Sequence, residues 1–110
     1  MIARIWRGTT SDTHADTYMD YLRETGLDAY EATAGNKGVF VLRRIADGKA
    51  EFVLISLWDS FEAIRDFAGP EPEKAVYYPR DDEYLLERQP GVDHYEVLAA
   101  PLPSQDETKA

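Results

Sequence analysis

One histidine and one glutamate share a face of the last apolar segment of the chain. Residues 92–99 alternate, so Val92, His94, Glu96 and Leu98 point to one side of a predicted strand. A histidine, with an ordinary pKa of about 6.5, can take a proton from a phenol or an enol in an enclosed pocket, and Glu96 can orient its ring. The alternative is that His94 completes a hydrogen-bond network or a dimer contact. His94 is therefore the first candidate catalytic residue, as a general base.

Two adjacent tyrosines, Tyr77 and Tyr78, lie in a segment punctuated by prolines, where a phenol can bind a substrate oxygen. Neighbouring side chains point in different directions, so we expect at most one of them to face a pocket. Near the start of the chain, Trp6 and Arg4 offer an indole wall and a guanidinium that can recognise an anionic aromatic ligand. The alternatives are structural packing for the tyrosines and solvated arginines on an edge strand. Tyr77 is the second candidate catalytic residue, and Arg4, Trp6 and Tyr78 are candidate substrate-binding residues.

Two further aromatic residues complete the predicted pocket. Trp58 ends a strongly apolar segment and can stack on a flat substrate, although a large aromatic residue there also suits the core or a dimer contact. Phe67 lies on the apolar stripe of a predicted helix. Both are candidate substrate-binding residues. The chain has no cysteine and its two histidines are far apart, so we predict no metal site.

The composition limits the classes of partner. The chain has 110 residues, of which 44% are hydrophobic, and this indicates a single globular domain. The end of the sequence is polar and punctuated by prolines, so we place the domain over residues 1–99 and a polar tail over 100–110. A net charge of -9 argues against binding to nucleic-acid phosphates or to anionic lipid. No apolar run reaches the roughly 20 residues of a membrane span, and the chain begins without a signal-peptide core. We therefore predict a cytoplasmic protein.

The elements that would position these residues follow from the apolar periodicity. In chain order they are a strand over 2–7, a helix over 14–25, strands over 39–45 and 52–58, a helix over 59–68 and a strand over 92–99. The pair Asp47-Gly48 marks a hairpin turn, and Gly26 is placed to end the first helix. The segments 27–37 and 70–87 show no sustained period and are predicted to be irregular, with one or two helical turns over 81–86. The acidic run 81–83 is predicted to be solvated surface.

This order of elements is that of the ferredoxin-like split βαβ arrangement. It predicts an α+β fold in which a four-stranded antiparallel sheet carries two helices on one face. The strand over 52–58 is apolar on both faces, so its second face also needs cover. A second copy of the chain is the simplest cover, and we expect a homodimer that packs through the open sheet face.

Two motifs, GVFVLR at 38–43 and LISLWDSFEA at 54–63, place a hairpin, a tryptophan at a strand end and a capped helix in succession. In these motifs the chain resembles the antibiotic biosynthesis monooxygenase family of dimeric α/β-barrel proteins, over roughly residues 1–99. The resemblance implies a cofactor-independent monooxygenase that acts on a small aromatic or polyketide-like substrate between the helices and the sheet, so we expect no cofactor. In such a reaction His94 would be the base, and Arg4 or a tyrosine would hold the oxyanion.

Other members of that family imply two alternatives. One is a non-catalytic dimer that binds a hydrophobic ligand or takes part in a stress response. The other is haem degradation, for which family members use an asparagine in the first strand, a tryptophan in the second helix and a histidine just beyond it. The first strand of this chain has no asparagine. Phe67 stands at the place of the tryptophan, and Tyr77 or Tyr78 stands at the place of the histidine. Because a tyrosine phenolate can ligate haem iron, haem degradation is kept as the less favoured alternative.

Overall fold

The fold is built on one antiparallel sheet with helices on one face, in a computed structural model that describes residues 1–100. The strands are β1 (Ile2–Ser11), β2 (Asn36–Ala46), β3 (Lys49–Trp58), β4 (Leu85–Arg88) and β5 (Asp93–Glu96). The helices are α1 (Ala15–Leu22), α2 (Asp28–Ala32), α3 (Phe61–Ala68) and α4 (Asp81–Tyr84). The predicted α+β class is confirmed. The polar tail from residue 101 onward lies outside the described residues, and the domain boundary at residue 99 stays a prediction.

The hairpin of β2 and β3 forms where the sequence predicts it, although both strands are longer. Asp47 and Gly48 have φ values of 55° and 76°, both in the left-handed region that a two-residue hairpin turn requires. The pairing then runs from Ala46 opposite Lys49 to Asn36 opposite Trp58. The next helix, α3, begins after Ser60, whose hydroxyl accepts a hydrogen bond of 3.2 Å from the backbone N–H of Ala63.

The sheet order is β2-β3-β1, followed by a fourth position that two short strands share. β4 pairs with the end of β1, with Arg88 opposite Gly8, and β5 pairs with its start, with His94 opposite Arg4. The predicted four-strand sheet is therefore corrected to five strands. The predicted helical turn over 81–86 ends at Tyr84, and the last strand is shorter than 92–99.

The first helical segment continues beyond its predicted end. A 3-10 turn over Asp12–His14 leads into α1, and a π-helical turn over Arg23–Leu27 joins α1 to α2. Gly26 lies inside this turn and does not end the helix. The segment continues because Tyr30, on α2, is only 4% exposed and stacks on the ring of Phe67 with 4.5 Å between centroids. Burial of that ring outweighs the local helix-ending tendency of a glycine.

The two faces of the sheet differ in cover. On the helical face, β3 buries Ala50, Phe52, Leu54, Ser56 and Trp58. On the other face it presents Val53, Ile55 and Leu57, all half-buried, beside exposed Phe40, Leu42 and Tyr95. The second face is therefore apolar and open within residues 1–100. In that part of the chain no helix has the length and apolar character needed to cross a membrane.

Candidate functional site

A small cavity, partly open to the surface, lies between the helical face of the sheet and the segment that follows α3. Its volume is about 30 Å³, enough for one or two water molecules. The side chains that define its chemistry are Arg4 and Trp6 of β1, Tyr18 of α1, Phe67 of α3, and Tyr78 and Asp81. The cavity therefore combines aromatic walls with two ionisable groups of opposite charge.

Arg4 is the buried cation of the cavity. Its side chain is 2% exposed, and its Nη2 donates a hydrogen bond of 2.9 Å to the carbonyl of Lys74, while its guanidinium lies 5.5 Å from the ring centroid of Phe67. Nε is buried without a hydrogen-bond partner, and among residues 1–100 no carboxylate lies within ion-pair distance. Burial lowers the pKa of Arg4. A buried cation with an unused donor can bind an anionic oxygen.

Asp81 is the buried anion of the cavity, and the prediction that it is solvated is wrong. It is 3% exposed and accepts hydrogen bonds from the hydroxyl of Tyr18 at 3.1 Å and from the backbone N–H of Tyr78 at 2.6 Å. The backbone N–H of Asp81 in turn donates to the carbonyl of Tyr78 at 3.0 Å. These two bonds close a turn between Tyr78 and Asp81 that holds the carboxylate among the residues of the cavity lining.

Three phenols surround these charges. Burial, followed by the nearby charge of Asp81, raises the pKa of Tyr18. Burial also raises the pKa of Tyr30, and the charge of Arg4 partly opposes that rise. Burial raises the pKa of Tyr78 as well, with the neighbouring Tyr30 and Asp81 acting in the same direction. All three hydroxyls therefore stay protonated near neutral pH and can donate hydrogen bonds.

Four of the seven predicted site residues line the cavity, namely Arg4, Trp6, Phe67 and Tyr78. Trp58 does not: it is fully buried behind the lining, its Nε1 donates to Ser56 Oγ at 2.9 Å, and its ring lies 5.5 Å from that of Phe67. The sequence did not single out Tyr18, Tyr30 or Asp81 for the site.

Tyr77 points away from the cavity toward the turn between β4 and β5. Its hydroxyl accepts a hydrogen bond of 3.1 Å from Trp6 Nε1 and donates one to the carbonyl of Gln89. The guanidinium of Arg88 lies 4.7 Å from the centroid of the Tyr77 ring. Tyr77 therefore contacts Trp6 without lining the cavity itself, and its catalytic role stays a prediction.

His94 lies beside Arg4 but outside the cavity lining. The two residues are opposite each other in the β1–β5 pair and so share the helical face of the sheet. The imidazole packs edge-on against Phe61, with 5.2 Å between centroids, and its Nε2 is buried without a hydrogen-bond partner. Burial, with a smaller contribution from the charge of Arg4, lowers the pKa of His94. The ring is therefore neutral at pH 7, and its role as a base stays a prediction.

Comparison with known proteins identifies similar structures at low sequence identity. No protein-family model and no curated protein matches the chain. A "putative antibiotic biosynthesis monooxygenase" from Bacillus cereus matches with a TM-score of 0.62 and 19% identity, covering 94% of this chain and 97% of that one. A mutant of MhuD with two manganese protoporphyrin IX molecules bound per active site has a TM-score of 0.59 and 17% identity, covering 94% and 100%.

An uncharacterized NIPSNAP domain protein from Burkholderia xenovorans also matches, with a TM-score of 0.58 and 16% identity, covering 94% of this chain and 100% of that chain. At these identities the likeness shows the fold alone. The resemblance to the antibiotic biosynthesis monooxygenases that the sequence predicts is thus confirmed in the fold, which this chain shares with the Bacillus cereus protein along nearly its whole length.

Proposed function

We propose that this chain is a cofactor-independent monooxygenase of the antibiotic biosynthesis monooxygenase type, acting on a small aromatic or polyketide-like substrate in the cavity. The buried guanidinium of Arg4, which has no carboxylate partner among the described residues and faces an aromatic-walled cavity, is the observation that carries the proposal. An oxygenation that proceeds through a substrate anion needs such a group.

The reaction balances without an external reductant. A substrate such as an anthrone loses a proton from a methylene carbon, and the carbanion passes an electron to dioxygen. The two radicals combine into a carbon-bound peroxide, which takes up a proton and then eliminates water to leave a carbonyl. One oxygen atom enters the product, the other leaves as water with the two methylene hydrogens, and the methylene carbon supplies the four electrons that reduce dioxygen.

The cavity residues suit the anionic stage of this reaction. Arg4 would hold the enolate oxygen, and the protonated phenols of Tyr30 and Tyr78 would donate further hydrogen bonds to it. We keep His94 as the proposed base because it lies next to Arg4 and is neutral at pH 7. Tyr77 would act only through the Trp6 wall, to which it is bonded.

A substrate with fused rings needs more room than about 30 Å³. The least regular part of the cavity lining is the segment over 70–80, which contributes Val76 and Tyr78. It is hydrogen-bonded to β1, from Arg4 to the carbonyl of Lys74 and from Trp6 to the hydroxyl of Tyr77. It is bonded to the turn between β4 and β5 by the isolated bridge between Lys74 and Gly91 and by the bonds from Ala75 to Pro90 and from Tyr77 to Gln89. These are separate bonds and not a continuous strand pairing. We propose that this segment moves aside when substrate enters.

The test is incubation of the purified protein with anthrones and quinols in air and without oxygen, followed by absorbance and mass spectrometry. Oxygen-dependent turnover without added metal or flavin supports the proposal. His94→Ala should then lower turnover by roughly 10²-fold or more, the usual contribution of a general base. His14→Ala, at an exposed histidine on the first helical segment, is the matched control. Unchanged turnover in His94→Ala would remove His94 from the mechanism.

The second candidate function is a dimer that binds a small hydrophobic ligand without changing it. The observation that favours it is that neither predicted catalytic residue, His94 nor Tyr77, lines the cavity. Tight binding of the same compounds with no product in air would support this function and refute the monooxygenase.

Haem degradation fits the residues poorly. A porphyrin needs still more room than a fused-ring substrate, and the hydroxyl of Tyr77 is bonded to Trp6 and to Gln89. Tyr78, the other tyrosine in the matching region, lies beside Asp81 and beside Gly26 of the π-helical turn.

The open face of the sheet supports the proposal of a homodimer. Phe40, Leu42 and Tyr95 are 42%, 48% and 57% exposed, and they lie beside Ile55 and Leu57 on one surface. Such a surface needs a partner, and a second copy can offer the same apolar surface in return. The cytoplasm and the lack of nucleic-acid or membrane partners remain the predictions from the sequence.

A further inference from the structure

The cavity holds two buried charges of opposite sign that do not pair with each other. Arg4 is 2% exposed and Asp81 is 3% exposed, and both line the same cavity without an ion pair to any residue within 1–100. We infer that the ligand of this cavity is a planar molecule with an ionised oxygen, which Arg4 binds, and a separate hydroxyl, which donates a hydrogen bond to Asp81.

A purely structural role leaves the arginine unexplained. A guanidinium has five N–H donors, yet the fold supplies the carbonyl of Lys74 to Nη2 and leaves Nε without a partner. Burying an ion without compensation is costly, so a fold rarely keeps one that has no partner. A ligand oxygen in the cavity would use the free donor and compensate the charge.

The carboxylate has capacity left for a ligand. One oxygen of Asp81 accepts from the hydroxyl of Tyr18 and the other from the backbone of Tyr78. An ionised carboxylate offers about four acceptor positions, so about two remain. Because it is negatively charged, Asp81 attracts a donor and repels a second anionic group, and it therefore selects a hydroxyl over another carboxylate.

The aromatic walls of the cavity favour a flat ligand. Trp6 lies on β1, and the rings of Phe67 and Tyr30 stack with an interplanar angle of 23°. Flat aromatic surfaces of this kind favour the face or edge of an aromatic ring. The ligand class is therefore an aromatic hydroxy acid, or an enolate that carries a phenolic hydroxyl.

This inference rests on the proposed site and on the proposed movement of the segment over 70–80, because a cavity of about 30 Å³ is too small for an aromatic ring. It concerns binding and is tested without oxygen. The probes are 4-hydroxybenzoate, 4-fluorobenzoate, which has nearly the same shape without the donor, and phenol, which lacks the carboxylate. Titration followed by calorimetry or ligand-observed NMR gives each Kd. A hydrogen bond to a charged group contributes about tenfold or more, so 4-hydroxybenzoate should bind at least about tenfold more tightly than 4-fluorobenzoate and than phenol.

Two variants assign the selectivity to its residues. Asp81→Asn keeps the shape and removes the charge, so the preference for the hydroxyl should fall to about fivefold or less, since a neutral hydrogen bond contributes about 1 kcal/mol. Asp82→Asn changes the neighbouring exposed carboxylate and should keep the full preference. Arg4→Met should remove the preference for 4-hydroxybenzoate over phenol, whereas Arg65→Met, at an exposed position on α3, should not.

Equal binding of 4-hydroxybenzoate and 4-fluorobenzoate by the unaltered protein would overturn the inference, and so would the failure of all three probes to bind. Neither result depends on whether a variant folds. The proposed oxygenation fails separately, if anthrones and quinols bind and remain unchanged in air. Selective binding without turnover would keep the inference and refute the monooxygenase.

Discussion

Replacing the buried arginine by methionine tests whether its charge serves the ligand or the fold. We expect Arg4→Met to keep the unligated protein as stable as the unaltered chain, or to raise its free energy of unfolding by up to about 2 kcal/mol, while binding of 4-hydroxybenzoate is lost. Methionine has a flexible apolar side chain that can fill the space left by the arginine stem. The expected combination of higher stability and lost binding is unusual for a buried residue.

The magnitude follows from two contacts and one desolvation cost. The bond from Nη2 to the carbonyl of Lys74 is charge-assisted and contributes about 1.5–3 kcal/mol. The cation–π contact with Phe67 contributes about 0.5–2 kcal/mol, and a thioether contact of about 0.3–1.5 kcal/mol replaces much of it. Against these losses stands the desolvation of the guanidinium, which costs several kcal/mol for one ion.

The expected rise in the free energy of unfolding agrees with the direction in which burial shifts the pKa of Arg4. Burial lowers the pKa of Arg4, so the protonated form is less stable in the folded protein than in the unfolded chain. That cost is present at every pH below the folded-state pKa. A guanidinium stays protonated in proteins at ordinary pH, so the cost does not vary there. A pH titration therefore cannot reveal it, and the substitution can.

Urea unfolding, followed by tryptophan fluorescence, measures the change, because Trp6 and Trp58 are both buried. Arg65→Met is the control and should stay within about 0.5 kcal/mol of the unaltered chain. A loss of 3 kcal/mol or more in Arg4→Met, at an unchanged m-value, would show that Arg4 anchors the fold, and it would refute the reasoning from an uncompensated charge.

Four further predictions test other parts of the structure. Gly26→Ala should stabilise the helical segment by up to about 1 kcal/mol in urea unfolding. It should also weaken 4-hydroxybenzoate binding, because the added methyl would take up space in the cavity lining, in ordinary contact with Tyr78 Cε2 at 3.9 Å; unchanged binding would contradict this. Burial lowers the pKa of His94, so the unfolded chain binds more protons and Tm should fall as the pH drops below about 6.5; an equal fall in His94→Gln would refute this origin. Trp58→Ala should cost about 3–5 kcal/mol in urea unfolding, and a cost below about 1 kcal/mol would contradict its place in the core. Ile55→Lys should turn the proposed dimer into a monomer in light scattering, and an unchanged mass would refute that interface.

The hairpin and the helix after it could be predicted because their signals are local. Asp47-Gly48 needs only its own backbone preference to form the turn, and the alternation of β3 follows from one strand. The start of α3 is set by a single hydrogen bond from Ala63 to Ser60, one residue after the predicted Asp59. These features do not depend on the rest of the chain.

The segments that were wrongly predicted depend on contacts distant in sequence. The helical segment passes Gly26 because Tyr30 reaches the rings of Trp58 and Phe67. The fourth position of the sheet divides into β4 and β5, which pair with opposite ends of β1 along one edge. No periodicity within 27–37 or 70–87 can report such pairings.

The site shows the same division between local and distant information. Arg4 and Trp6 could be predicted because strand alternation places them on one face, and the apolar stripe of α3 places Phe67 opposite that face. Asp81 could not, because its burial depends on the hydroxyl of Tyr18, 63 residues away, while Asp82 and Glu83 beside it are exposed.

The turn around Asp81 fixes only part of its environment. Asp81 stands three residues after Tyr78 and bonds to it through both its carboxylate and its backbone N–H, while its other carboxylate oxygen accepts from the distant Tyr18. A fold that needed only the turn could have used an asparagine, which would accept the same backbone N–H without a buried charge. The chain instead keeps an anion opposite an uncompensated cation, at a cost in stability that binding of a ligand with both an ionised oxygen and a hydroxyl would offset.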